Sequence, residues 1–348
     1  MTSRDDDVLE SALDWIAEGR RVAVATVVDT WGSSPRPRGS QLVVRDDALF
    51  LGSVSGGCVE GKVVEAALTA MGDRRHRLLE FGVSNEDAWE VGLACGGTVR
   101  IYVEPVSSGG PTADGPLGRE VLEAVRRARA EKRALVVLTP LDGGPVRAWS
   151  PGDPLETDLQ GAAERALATD EASSVETGSG AVFVQAMNPP LKLVIVGAVH
   201  MAEPLARIAS LLGYEVTLVD PRQAFARAER WPGLVVLTDW PDEVLGAMSL
   251  DHRTAIVALT HDPKIDDPAL ETALGSPAFY VGALGSTKTH ASRLRRLEAR
   301  GVPTGTLARI HGPVGLRIGA RSPGEIAVSI AAQMTETLRR VPARVPPS

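Results

Sequence analysis

The chain has 348 residues, 44% of them hydrophobic, with a formal net charge of −7 and aromatic side chains at 4%. The length fits two domains of ordinary size, and the acidic balance with few aromatics excludes a general nucleic-acid binder. Two cysteines, Cys58 and Cys95, are too few for a disulfide scaffold or for the four thiolates of an iron–sulfur cluster in one chain. No apolar run reaches the roughly 20 residues of a membrane span. The first residues, Met1 to Asp7, are acidic and lack the apolar core of a signal peptide, so a cytoplasmic protein with reduced thiols is expected.

In chain order, Val8, Leu9, Ala12, Leu13 and Ile16 have helical spacing. Arg21 to Val28 reads as a strand, and a Gly/Ser/Pro loop from Trp31 to Gly39 follows it. Gln41 to Val44 and Ala48 to Leu51 read as a hairpin around Asp46-Asp47. After Ser55-Gly56-Gly57, a helix starting near Cys58 carries the stripe Val59, Val63, Ala66, Ala67 and Ala70. Leu78 to Phe81 and Thr98 to Val103 read as strands on either side of the Cys95 loop. Ser107 to Pro116 is linker-like. A charged helix from Leu117 to Lys132, a strand from Ala134 to Thr139 and a hairpin turn at Asp142-Gly143-Gly144 come next. Pro151 to Gly180 gives no clear pattern, and Ala181 to Ala186 reads as a strand.

Beyond Asn188-Pro189-Pro190, short apolar runs alternate with helical segments, the pattern of a doubly wound parallel sheet. The fold expected is therefore α/β: an N-terminal α/β domain with a mixed sheet over residues 1–187, of which 106–187 are the least distinctive. A Rossmann-like domain over 191–340 and a disordered tail over 341–348 complete it. Ser322-Pro323-Gly324-Glu325 has capping-box spacing and opens the last helix.

The candidate site residues lie in glycine-rich loops. A strand, then Ser55-Gly56-Gly57, then a helix beginning at Cys58 is an anion-binding layout, since free amides and the helix dipole point at whatever sits there. The same field favours a thiolate at Cys58. The bland alternative is a buried, inert cysteine. Cys95, followed by Gly96 and Gly97, precedes a strand and lacks a helix dipole. Ser33, Ser34, Arg36 and Arg38 add hydroxyls and guanidiniums suited to phosphate, or simply to a solvated turn.

In the C-terminal half, Leu193 to Gly197 runs from a strand into a glycine turn. Asp220 ends the next strand, where a Rossmann domain holds ribose hydroxyls. Val199 occupies the second glycine position of that fingerprint, which weakens the case for a dinucleotide. His200, His261, Gly285, Ser286 and His311 complete the ligand-like positions. Gly285-Ser286, with Lys288 and Arg293 nearby, has the layout of a phosphate site at a helix start. A metal site at His261, Asp262, Asp266 and Asp267 is set aside, because Asp267-Pro268 reads as a helix start.

Three N-terminal segments, Thr30 to Gly39, Gly52 to Gly61 and Gly92 to Gly97, carry a resemblance that the C-terminal half extends. There it rests on Gly197-Ala198 with His200, Thr260-His261-Asp262, Tyr280-Val281-Gly282 with Gly285-Ser286, Ala308 to Pro313, and Gly319 to Pro323 with Glu325. In these segments the sequence resembles the XdhC/CoxI family of molybdenum-cofactor maturation factors, over nearly its whole length. The resemblance implies a carrier rather than an enzyme. Its cargo would be Mo-molybdopterin, held while a cysteine desulfurase supplies sulfide and then delivered to an apo molybdenum hydroxylase. It also implies that Cys58 contacts molybdenum or the transferred sulfur. A homodimer is the expected assembly, with no nucleic-acid or membrane partner. The chain itself is too short and too poor in cysteine to be a complete xanthine dehydrogenase. The alternative reading is an NAD(P)-dependent oxidoreductase using the Rossmann domain, Asp220, His261 and a reactive Cys58.

Overall fold

The computed structural model describes residues 7–32, 36–82, 97–107 and 117–340. Ser33, Ser34, Cys95, Gly96 and the 341–348 tail, all named above, lie outside the described residues. The chain divides into two compact units, with the division between Pro189 and Pro190.

The first unit runs helix α1 (Asp7–Ala17), strands β1 (Val22–Trp31), β2 (Gln41–Arg45) and β3 (Phe50–Gly52), helix α2 (Glu60–Asp73), then strands β4 (Arg77–Phe81), β5 (Thr98–Ser107) and β6 (Leu117–Gly118). It continues with α3 (Arg119–Ala130), β7 (Leu135–Pro140), β8 (Arg147–Trp149), α4 (Thr157–Thr169), β9 (Ser173–Thr177) and β10 (Gly180–Met187). Its first sheet has the order β3-β2-β1-β5-β4 with antiparallel neighbours, and β6 adds in parallel to β5. One face buries Ala23, Ala25, Val27, Ile101 and Val103 against the α2 stripe of Val63, Ala67 and Ala70. The other face meets α1 and α3 through Val22, Val24, Leu9, Leu13, Val121 and Val125. The second sheet, β8-β7-β10-β9, is antiparallel throughout.

The second unit contains β11 (Lys192–Val196), α5 (Ala202–Leu211), β12 (Glu215–Val219), β13 (Val235–Leu237), α6 (Pro241–Ala247), β14 (Thr254–Ala258) and α7 (Pro263–Leu274). It ends with β15 (Tyr280–Ala283), α8 (Thr287–Ala299), α9 (Thr304–Leu307), β16 (Ile310–His311) and α10 (Pro323–Arg340). The six strands pair in parallel in the order β13-β12-β11-β14-β15-β16. Counted from β11, that is the 3-2-1-4-5-6 order of a Rossmann fold, whose direction reverses between β11 and β14. The strands read as continuous apolar runs because both faces are covered, with Leu193 and Ile195 in one core cluster and Val194 and Val196 in the other.

Two expectations shift. The helix expected near Cys58 begins at Glu60, leaving Cys58 in the preceding bend. Asp267-Pro268 does not start a helix: α7 opens at Pro263, where the Asp262 side chain caps the Lys264 amide, and Pro268 lies inside it. Pro263 at the first helical position with a capping Asp before it is the stronger start. At α10 the capping box forms as its spacing predicts. Glu325 accepts from the Arg321 and Ser322 amides, and Ser322 Oγ accepts from the Glu325 amide.

Candidate functional site

The loop between β3 and α2 is organised by one buried carboxylate. Glu60 Oε1 accepts from Ser53 Oγ at 2.8 Å, the Val54 amide at 3.2 Å and the Ser55 amide at 2.9 Å. Its Oε2 accepts from Ser55 Oγ and, at 2.9 Å, from the Gly57 amide. The Gly56 amide goes to Ser53 Oγ and the Val59 amide to Ser55 Oγ. Burial acts to raise the Glu60 carboxyl, but hydrogen bonds from Ser55 and Ser53 outweigh it and hold the group at about 2. Glu60 is thus a permanent internal anion at the positive end of α2.

This arrangement changes the meaning of the glycine loop. Sequence reasoning reserved the amides of Ser55, Gly56 and Gly57 for an external anion, and the protein's own side chains take all three. What the loop offers outward is the sulfur. Cys58 is a free, exposed thiol, flanked by exposed Gly56 and Gly57 in left-handed conformations (φ 77° and 114°). The position of a side chain on such a bend is set by the bonds beneath it, so the Glu60 network fixes where Cys58 projects.

Strand register gathers the ends of all three family-like loops at one end of the first sheet. Gln41 pairs with Thr26, Gly52 with Leu42, Phe81 with Val99 and Thr98 with Trp31. Arg36 joins two of the loops, since its Nε donates to Ser53 O at 3.2 Å. Arg38 is engaged with Asp29 at 2.5 Å. Gly97 is buried just before β5. Gly39 needs its left-handed backbone (φ 86°), and its carbonyl accepts from Gln185 of β10 at 2.9 Å, which ties this loop to the second sheet. Trp31, at the end of the central strand β1, is nearly half exposed.

The second unit places its candidates at the carboxyl ends of its strands. Gly197 (φ 111°) leaves β11, and a methyl group there would lie 2.5 Å from Thr260 Cγ2. Asp220, at the end of β12, is fully buried. Its Oδ2 accepts from the Ala198 amide at 2.8 Å and from Arg222 Nη2 at 2.7 Å, and its Oδ1 accepts from the Arg222 amide and Nε, both at 2.9 Å. Burial acts to raise this carboxyl, yet the Arg222 and Ala198 bonds keep it below its ordinary value. Asp220 therefore does not present a ribose-binding carboxylate as expected; it fills the glycine turn from inside, and Arg222 neutralises it.

His261 follows β14 in a left-handed conformation (φ 63°) and is exposed, with its amide given to Asp266 Oδ2 at 3.1 Å. His200 is exposed past the Gly197 turn. Ser286 caps α8 through a bond from the Thr289 amide at 3.1 Å, after Gly285 (φ 141°). His311 stacks on Tyr280 with ring centroids 4.6 Å apart, and burial lowers its basicity. Among the described residues, no cluster of three or more His, Cys, Asp or Glu side chains could hold a metal ion, and no helix is long and apolar enough to cross a membrane.

Sequence reasoning missed Glu60, which occupies the first glycine turn, and Arg222, which pairs with the Asp220 that occupies the second. A signal existed for each. Glu60 stands three residues after Gly57, the spacing at which a first-turn acid reaches back to an amide. Arg222 stands two residues after Asp220, within reach of a bidentate pair.

Comparison with known proteins supplies the family. Residues 15–82 match the model of the XdhC and CoxI family, and residues 193–334 match that of the XdhC Rossmann domain. The chain is 28% identical to a Bacillus subtilis protein named as a probable xanthine dehydrogenase subunit, covering 94% of this chain and 97% of that one. It is 27% identical to the molybdenum cofactor insertion chaperone PaoD of Escherichia coli, covering 96% and 89%. A solved structure described as a xanthine dehydrogenase from Bacillus halodurans shares the fold, with a TM-score of 0.74 at 23% identity over 97% of this chain and 98% of that one. With its two matched segments spanning more than half of the sequence, the chain belongs to the XdhC and CoxI family.

Proposed function

We propose that this protein is a maturation factor that binds the molybdenum cofactor and hands it to a molybdenum hydroxylase of the xanthine dehydrogenase or carbon monoxide dehydrogenase type. The observation that carries the reading is the exposed Cys58 thiol on a loop locked by Glu60, inside the family-matched segment. A soft thiolate suits a molybdenum centre bound by a dithiolene, and an exposed position suits a ligand that must be surrendered. The relative from Escherichia coli, named as a molybdenum cofactor insertion chaperone, supports the same assignment.

In finer detail, Cys58 contacts the molybdenum or the sulfur delivered to it, while Arg36 and Arg38 flank the cofactor at the same sheet end. Ser33, Ser34 and Cys95 belong to the same loop set. A cysteine desulfurase and the apo hydroxylase are the partners, and the setting is the cytoplasm. The buried, neutralised Asp220 and Val199 weigh against the alternative of an NAD(P)-dependent oxidoreductase.

The test is activation of a purified apo hydroxylase by protein preloaded with cofactor. Wild type raises hydroxylase activity, and Cys58→Ala gives at most a tenth of that rise. Full activation by Cys58→Ala removes the role given to the thiol.

A further inference from the structure

Among the described residues, the β3–α2, β11–α5 and β15–α8 turns each lead from a strand through glycine towards a helix, a form that offers amides to an anion. Two are closed by the protein's own carboxylates, Glu60 in the β3–α2 loop and Asp220 at the Gly197 turn. The third, Leu284-Gly285-Ser286 between β15 and α8, has no such carboxylate. Its one side-chain cap is the neutral Ser286 hydroxyl, which takes the Thr289 amide. Among the described residues, no acceptor takes the first-turn amides of Thr287 and Lys288. The helix behind them is 13 residues long, so its positive end is fully developed.

A second observation comes from beneath the loop. Arg293 leans back along α8 and is only 2% exposed. Its Nη2 donates to Leu284 O at 2.7 Å, which sets the guanidinium directly under the loop. Nε and Nη1 are buried and have no hydrogen-bond partner. The nearest carboxylate, Asp266, stands 3.8 Å from Nη2 and already accepts from the Thr260 amide and hydroxyl and the His261 amide. Asp267 is bidentate to Arg296. His290 Nδ1, on the first turn of α8, is likewise buried without a partner, packed so closely on Gly312 that a methyl group there would collide with it. Asp266 stands at ion-pair distance and balances the charge of Arg293, but Nε and Nη1 remain open donors, and the open amides lie at the start of the same helix.

We propose that the turn between β15 and α8 is a phosphate site, in which the Thr287 and Lys288 amides hold a phosphoryl group and the unpartnered Arg293 donors lie beneath it. The ligand is a small phosphorylated molecule. The phosphate site of this Rossmann unit thus lies at the fifth strand, because Asp220 fills the turn after the first. The proposal is independent of the carrier role and survives its failure.

The test uses the full chain, calorimetric titration with inorganic phosphate and, separately, with ADP, and the amide resonance of Lys288 as a site-resolved reporter. Saturable binding that shifts the Lys288 resonance is expected. Arg293→Gln weakens it at least tenfold. Thr287→Pro removes one amide donor at the helix position that best accepts proline, and weakens binding several-fold while preserving the fold. If Arg293→Gln fails to fold, Thr287→Pro carries the test alone. Tighter binding of ADP than of phosphate assigns a nucleotide; equal affinity assigns a simple phosphate ester. No saturable binding of either probe at millimolar concentration, or binding unchanged in the folded variants, overturns the site.

Discussion

The Cys58 loop and the Gly197 turn look alike in sequence and differ in what they leave at the surface. Both follow a strand, both bend at glycine, and in both a carboxylate of the protein takes amides that an outside anion would need. In the first unit the carboxylate is Glu60, at the start of the same helix, and the bend it organises displays an exposed thiol. In the second it is Asp220 from the neighbouring strand, buried and paired to Arg222, and the exposed side chain beyond the turn is His200 rather than a thiol. A glycine turn is therefore a site only to the extent that the chain has left its donors, or a side chain mounted on them, for something else.

The largest expected effect is at Glu60. Glu60→Ala strands several buried donors and costs about 3 kcal/mol in urea unfolding. A cost below about 0.5 kcal/mol would mean the network does not organise the loop. The pH dependence follows from the same group. Its folded value, about 2, lies below the ordinary 4.5, so its contribution is complete above the ordinary value and is lost as pH falls through about 2. The acid limb of the stability curve should flatten in the variant.

Asp220→Asn comes next. It removes the ion pair with Arg222 while keeping an acceptor for the Ala198 amide, and should cost about 2 kcal/mol in the same measurement. If it costs nothing, the two turns are not built alike.

Glu104 sharpens the comparison from the opposite side. It is buried on β5, its Oε2 has no partner, and burial pushes it up to about 8. Here the folded value lies above the unfolded one, so stability falls as pH rises from the ordinary glutamate range towards 8. Glu104→Gln should raise the Tm at pH 8, by about 1 kcal/mol equivalent or more, and change it little at pH 5. A loss of stability at pH 8 would show that Glu104 is a partnered anion like Glu60.

The smallest effect is at Gly57. An added methyl group meets nothing within 4 Å, so Gly57→Ala reports backbone strain at φ 114° alone and should cost about 1 kcal/mol. No measurable change would mean that the bend beside Cys58 is not held.

The doubly wound unit was legible because its strands, buried on both faces, leave unbroken apolar runs such as Leu193 to Val196. The second sheet of the first unit was only partly legible. Helix α4 buries Leu159 with Ala162, Ala163 and Ala166, and a stripe made mostly of alanine gives little contrast with its polar face. At the site, the pattern around Cys58 marked the right loop but not its mechanism. Amides are invisible in sequence, and whether Glu60 or a ligand takes them depends on how α2 meets β3. Asp220 shows the same limit: its distance from Gly197 reads as ribose binding, while its burial and Arg222 make it a structural anion.

The central claim is that the Glu60-locked loop presents Cys58 to a molybdenum cofactor. Its most direct test is the molybdenum that co-elutes with the protein after incubation with cofactor and gel filtration. Wild type should retain stoichiometric molybdenum, and Cys58→Ala, with an unchanged Tm because the thiol is exposed, should retain less than about a tenth as much. Equal retention by both proteins would contradict the account.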